Sequence, residues 1–101
     1  MNLGLIPVRY ATALLDYADA SKAQESVYKD AVQLSESFAN TKGLSTALEN
    51  PVMSKENKKQ LILTATGGKV SKVFLSFVDL VLKNNREAEL RAIILKYKDT
   101  I

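Results

Sequence analysis

A chain of 101 residues with 47% hydrophobic and 25% charged side chains has the size of one domain and the balance of an ordinary globular protein, not of a disordered tail or a membrane protein. The absence of Cys and His removes thiol nucleophiles, disulfide frameworks, Cys- or His-based zinc sites, Ser-His triads and imidazole proton relays. The net charge of +3 is unevenly spread: residues 1–50 carry four basic and six acidic side chains, residues 51–101 ten and five, so the pI near 9.2 belongs to the second half.

Two prolines and four glycines leave long stretches without breakers, which favours helices. Pro7 suits the first turn of a helix, where its missing N–H costs nothing, and predicts a first helix over 6–20. Ser21 or an adjacent polar residue caps a second helix, whose apolar positions Val27, Ala31, Leu34 and Phe38 follow helical spacing and which ends near Asn40 to Gly43. A short helical turn over Leu44 to Leu48 ends at Asn50-Pro51, because the residue before proline avoids the α region. Ser54 caps a fourth helix over Lys55 to Ala65, terminated by Gly67-Gly68. A fifth runs from Val70 to Lys83. Asn84-Asn85 interrupts the chain, Asn85 caps, and Glu87 lies in the first turn of a sixth helix reaching at least Tyr97, where the helix dipole favours an acid. The expected fold is all-α, a compact bundle of five to six helices with short loops. The last helix stops without a cap, so residues 1–101 read as a single helical N-terminal domain cut from a longer chain whose C-terminal domain is absent. The N-terminal apolar run is broken by Pro7 and Arg9 and has no basic leader, unlike a signal peptide, and no stretch approaches the roughly 20 apolar residues of a membrane helix.

Placed at 100° per residue, the apolar residues of the first and fifth helices each cover an arc of roughly 220°, against about 160° in the second and about 100° in the sixth. A surface helix needs little more than a 100° stripe, so two helices carry a surplus. Burial on two sides in the middle of the bundle would absorb it. So would a groove between the two helices that takes an amphipathic helix of another protein. Tyr10 and Tyr17 share one side of the first helix and suit a rim, having an apolar ring and a hydroxyl that needs a partner; Ala13 between them allows close approach.

Two other signals are weaker. Lys55, Lys58, Lys59, Lys69 and Lys72 make a candidate phosphate-binding patch for nucleic acid, but no aromatic or Arg side chain is interleaved to stack bases. Thr66-Gly67-Gly68-Lys69 has the look of a phosphate-binding loop end, yet Ile62 stands where the pattern needs Gly, Val70 where it needs Ser or Thr, and no strand precedes it. No catalytic residue, cofactor or metal is expected.

Arg9-Tyr10-Ala11-Thr12-Ala13-Leu14-Leu15-Asp16-Tyr17-Ala18, followed in order by Leu48-Glu49-Asn50-Pro51, Phe74-Leu75, and Asn84-Asn85-Arg86 leading to Leu90, Ile94 and Tyr97, resembles the delta subunit of F-type ATP synthase, similar to the mitochondrial oligomycin sensitivity conferral protein. The resemblance covers the whole chain. It implies a six-helix bundle on the catalytic head whose first and fifth helices hold the N-terminal helix of an alpha subunit, and a missing C-terminal domain that contacts the b subunit of the peripheral stalk. It further implies a non-catalytic stator connector at the cytoplasmic face of a bacterial membrane, without direct membrane insertion and without nucleic acid. On that basis the groove is assigned to Tyr10, Ala13, Leu14, Tyr17, Val73, Ser76, Phe77 and Leu80, with Tyr17, Phe77 and Leu80 as the large anchors. The opposite flanks, Val8, Ala11, Leu15, Phe74, Val78 and Val81, are assigned to the core. The family often has Gly where this chain has Asn85, a residue that also visits the left-handed region.

Overall fold

The computed structural model describes residues 5–100. Six α-helices follow one another: α1 (Leu5–Ala20), α2 (Gln24–Asn40), α3 (Lys42–Glu49), α4 (Lys55–Ala65), α5 (Lys72–Lys83) and α6 (Leu90–Thr100), the last entered through a 3-10 turn at Glu87–Glu89. No strand occurs among the described residues, and none of their helices is long and apolar enough to cross a membrane. Pro7 lies in the first turn of α1, where its ring presets the helical φ and no N–H is lost.

Three helices end by the same device, a left-handed residue whose N–H and whose successor's N–H turn back onto the last carbonyls. After α1 the residue is Lys22 (φ 54°), with Lys22 N–H on Asp19 O and Ala23 N–H on Ala18 O at 3.2 and 2.9 Å. After α4 it is Gly67 (φ 81°), with Gly68 N–H on Leu63 O at 2.7 Å. After α5 it is Asn85 (φ 60°), with Arg86 N–H on Val81 O at 2.9 Å. At Gly67 it is the positive φ that favours glycine: a Cβ there would lie 2.9 Å from Gln33 Nε2, but that is the end of an exposed, flexible side chain that can move aside.

These turns correct several boundaries. Ser21 does not cap α2: its N–H closes α1 on Tyr17 O, and the three-residue connection leaves Ala23 at the cap position without a side-chain bond. The short turn at Leu44 to Leu48 is a full helix of eight residues, entered one residue after α2. Ser54 caps α4 as expected, accepting from Asn57 N–H at 3.1 Å. The fifth helix starts later than its apolar run, because Ser71 is its N-cap, accepting from Phe74 N–H at 3.2 Å and donating its own N–H to the buried Asp30 carboxylate at 2.9 Å. Val70 therefore lies outside the helix yet packs on the core. Asn85 ends α5 and caps nothing, and Glu87 opens the 3-10 turn.

The helix with the narrowest apolar stripe has the whole of that stripe in the core. α6 packs mainly against α1 and α2, and its stripe Leu90, Ile93, Ile94 and Tyr97 is wholly buried, together with Leu14, Ala18, Val27, Leu34, Ile62, Phe74, Phe77 and Val78. The Tyr97 hydroxyl makes no hydrogen bond within the protein. Burial, the charge of Asp19 and the neighbouring Tyr28 raise its pKa above the usual phenol value. Because the unfolded chain ionises first, Tyr97's contribution holds below pH ~10 and is lost as pH rises through the raised folded value. Tyr97→Phe should therefore be neutral or up to about 1 kcal/mol stabilising near pH 7, since it removes a buried hydroxyl without a partner. It should also flatten the loss of stability above pH ~10 in urea melts.

Candidate partner-binding surface

On α1 the core stripe is Ala11, Leu14 and Ala18, at helical spacing of three and four, which fixes the direction of the bundle centre. Tyr10, Ala13 and Tyr17 each precede one of these by a single residue and so fall together on one flank. Tyr10 and Ala13 are half-buried, and Tyr17 remains 43% exposed. On α5 the stripe Phe74, Phe77, Val78 and Val81 is buried, Val73 and Leu80 are half-buried beside Phe77, and Ser76 is exposed. The two helices pack against each other, and the contact is specific: the Tyr10 ring meets the Phe77 ring edge-on, with centroids 6.4 Å apart and planes at 68°. Asn84 Nδ2, at the C-terminal cap of α5, donates to Tyr10 Oη at 3.0 Å.

The eight assigned residues thus divide by depth. Leu14 and Phe77, placed in the groove by sequence, have no exposure and belong to the core; each lies on the inner edge of its flank, close enough to the bundle axis to be covered by neighbouring helices. Tyr10, Ala13, Val73 and Leu80 form an intermediate layer, and Tyr17 and Ser76 reach solvent. On the opposite flanks, Ala11, Phe74, Val78 and Val81 are in the core and Leu15 packs on it. Val8, assigned to the core, is 39% exposed, because it stands roughly 85° around α1 from the core direction, on the side of Thr12 and Asp19.

The basic patch does not survive folding as a set of free cations. Lys58 is buried and donates to Glu87 Oε2 at 2.8 Å, Lys55 lies 3.8 Å from the same oxygen and bonds Asn85 Oδ1, and Lys59 pairs with Asp79 at 2.8 Å. Three of the five lysines are thereby engaged within the chain, sharing the two carboxylates of Glu87 and Asp79, which weakens the support for a nucleic-acid surface. Burial raises the Glu87 pKa, but the Lys58 hydrogen bond, its own backbone N–H and the charges of Lys58 and Lys55 outweigh this and hold it below the usual carboxylate value. The Thr66-Gly67-Gly68-Lys69 segment is the turn that ends α4, with the Thr66 hydroxyl donating to Leu63 O at 2.8 Å, and it follows a helix where the phosphate-loop pattern needs a strand.

Sequence reading missed Asn84, taken only as a chain breaker. The signal was present: Asn84 follows Phe77 by seven residues, two helical turns, and so returns to the flank that faces Tyr10.

The family model for the ATP synthase delta (OSCP) subunit matches residues 6–101. The ATP synthase subunit delta of Phocaeicola vulgatus is 45% identical over 100 residues, covering 98% of this chain and 54% of that protein. That of Bacteroides fragilis is 43% identical over 101 residues with the same coverage, and the chloroplastic subunit of Ochrosphaera neapolitana is 32% identical over 97 residues, covering 96% and 54%. The chain spans about half the length of these relatives. No solved structure gives a significant match. A match to the family model over all but the first five residues establishes that the chain belongs to the ATP synthase delta (OSCP) subunit family.

Proposed function

We propose that this domain holds the N-terminal amphipathic helix of an ATP synthase alpha subunit along the seam of α1 and α5. It serves there as a non-catalytic stator connector between the catalytic head and the peripheral stalk during proton-driven ATP synthesis. The remainder of the subunit contacts the b subunit, and the complex lies at the cytoplasmic face of a bacterial membrane.

The observation that carries this reading is the graded apolar layer left uncovered where α1 meets α5. Tyr10, Ala13, Val73 and Leu80 retain part of their surface and Tyr17 much of it, although all lie beside fully buried residues of the same helices. An amphipathic helix laid on that seam would complete the burial. Full burial of a large apolar side chain is worth about 1.5–3 kcal/mol, and Phe77, already in the core, adds nothing new to binding. The anchors are therefore Tyr17 and Leu80, with Tyr10 and Val73 contributing their remaining area, and the affinity rests on a smaller increment than three free anchors would supply.

Isothermal titration of this chain with a synthetic alpha-subunit N-terminal peptide tests the reading. One-to-one binding with a negative heat-capacity change and weak salt dependence is the expected result. Absence of binding to the folded chain would sink the docking of an isolated alpha helix on this seam.

A further inference from the structure

We propose that Asn84 is a positioning and specificity residue of the α1–α5 seam, fixing the polarity of the Tyr10 hydroxyl so that the docked partner must present a hydrogen-bond acceptor there. The inference rests on the docking reading above and adds which chemistry the partner carries at one point.

Asn84 is held before it ever meets Tyr10. Its backbone N–H is bonded to Leu80 O at 3.0 Å, its φ and ψ of −89° and 6° are near-helical, and the left-handed Asn85 after it is tied back through Arg86 to Val81 O. The two adjacent asparagines then face different helices: the Asn85 side chain accepts from Lys55 on α4, and the Asn84 amide nitrogen donates to Tyr10 on α1. An amide nitrogen has only protons to offer, so at this contact the phenol oxygen is the acceptor. The single hydroxyl proton of Tyr10 is left to point elsewhere, and the edge-on packing of the ring against Phe77 restricts where that can be. In the free chain this hydrogen bond is open to solvent and the O–H is free to bond water; a partner that covered it without offering an acceptor would leave this O–H unsatisfied on docking. The partner chemistry that fits is a side-chain carbonyl, hydroxyl or carboxylate, or a carbonyl at a helix end, set within the partner's apolar face.

Two double-mutant cycles test this, one without partner and one with it. In urea melts of the chain, Tyr10→Phe and Asn84→Ala should be non-additive, the double variant being no less stable than the worse single variant; additive losses would show that the two side chains do not act through each other and would overturn the positioning role. In titrations with the alpha-subunit peptide, Asn84→Asp, which as a carboxylate can only accept, turns the Tyr10 proton inward and should weaken binding about fivefold, as should Tyr10→Phe. The Asn84→Asp loss should vanish in the Tyr10→Phe background. A loss that persists there comes from the added charge and overturns the polarity assignment, and so does wild-type affinity in Asn84→Asp. If the wild-type chain does not bind the peptide, the docking reading fails and the specificity assignment falls with it. The partner-free cycle still decides whether Asn84 positions Tyr10.

Discussion

Replacing Glu87 by alanine should destabilise the domain by about 3 kcal/mol, and Lys58→Ala should cost about as much, read as the urea midpoint at pH 7. The two side chains are 8% and 6% exposed and lie 2.8 Å apart, bridging α4 to the turn between α5 and α6. Removing either leaves the other charge buried, with Lys55, itself half-exposed, as the nearest remedy for a stranded Glu87, which places the effect at the lower end of the range for broken buried pairs. Replacing both with apolar residues of similar volume, Lys58→Met with Glu87→Leu, should recover most of the loss, because the desolvation of both charges disappears together. A double variant no more stable than the singles would mean that the pair supplies net attraction that packing cannot replace. The pH dependence has a definite sign. Glu87 has a lowered folded pKa, so its contribution is fully present above the unfolded value of ~4.3 and is lost as pH falls through the lowered one. Acid melts of the wild type should therefore steepen below pH ~4, and Glu87→Gln should remove part of that slope.

Ala13→Asp should weaken binding of the alpha-subunit peptide by at least about a hundredfold while the bundle stays folded. Ala13 is half-buried on the Tyr10 and Tyr17 flank of α1, one residue away from the buried Leu14. In the free chain an aspartate there can turn to water. Its costs are the lower helix propensity and a like charge at Asp16, partly offset by Arg9 one turn earlier, so the stability loss should be about 1 kcal/mol. Under a docked apolar helix the same carboxylate is stripped of water without a partner, and that penalty falls on binding alone. Circular dichroism and calorimetry on one preparation separate the two effects. A helical, cooperatively melting Ala13→Asp that binds the peptide as tightly as the wild type would remove the α1 flank from the interface.

Much of this protein was decided by local physics and could be read along the chain. The six helices follow from breakers and apolar spacing: Pro7 opens α1, Ser54 caps α4, Asn50-Pro51 closes α3, and Leu90, Ile93, Ile94 and Tyr97 form a stripe that is wholly buried. Family membership was legible too, since the motif from Arg9 to Ala18 and those after it sit in order along the chain, and the family model covers the same residues. Tertiary structure alone decided what depends on the positions of helix axes. Spacing around a helix gives the angle of a side chain but not the distance to the next helix, so it assigned the fully buried Leu14 and Phe77 to the groove and put the exposed Val8 inside. It equally could not pair Lys58 with Glu87, 29 residues apart, or Tyr10 with Asn84, 74 apart, because such pairs form only when loops bring distant helix ends together. Short-range patterns set which residues are helical and which face is apolar, whereas depth, charge pairing and the polarity of a single tyrosine hydroxyl are products of the packed bundle.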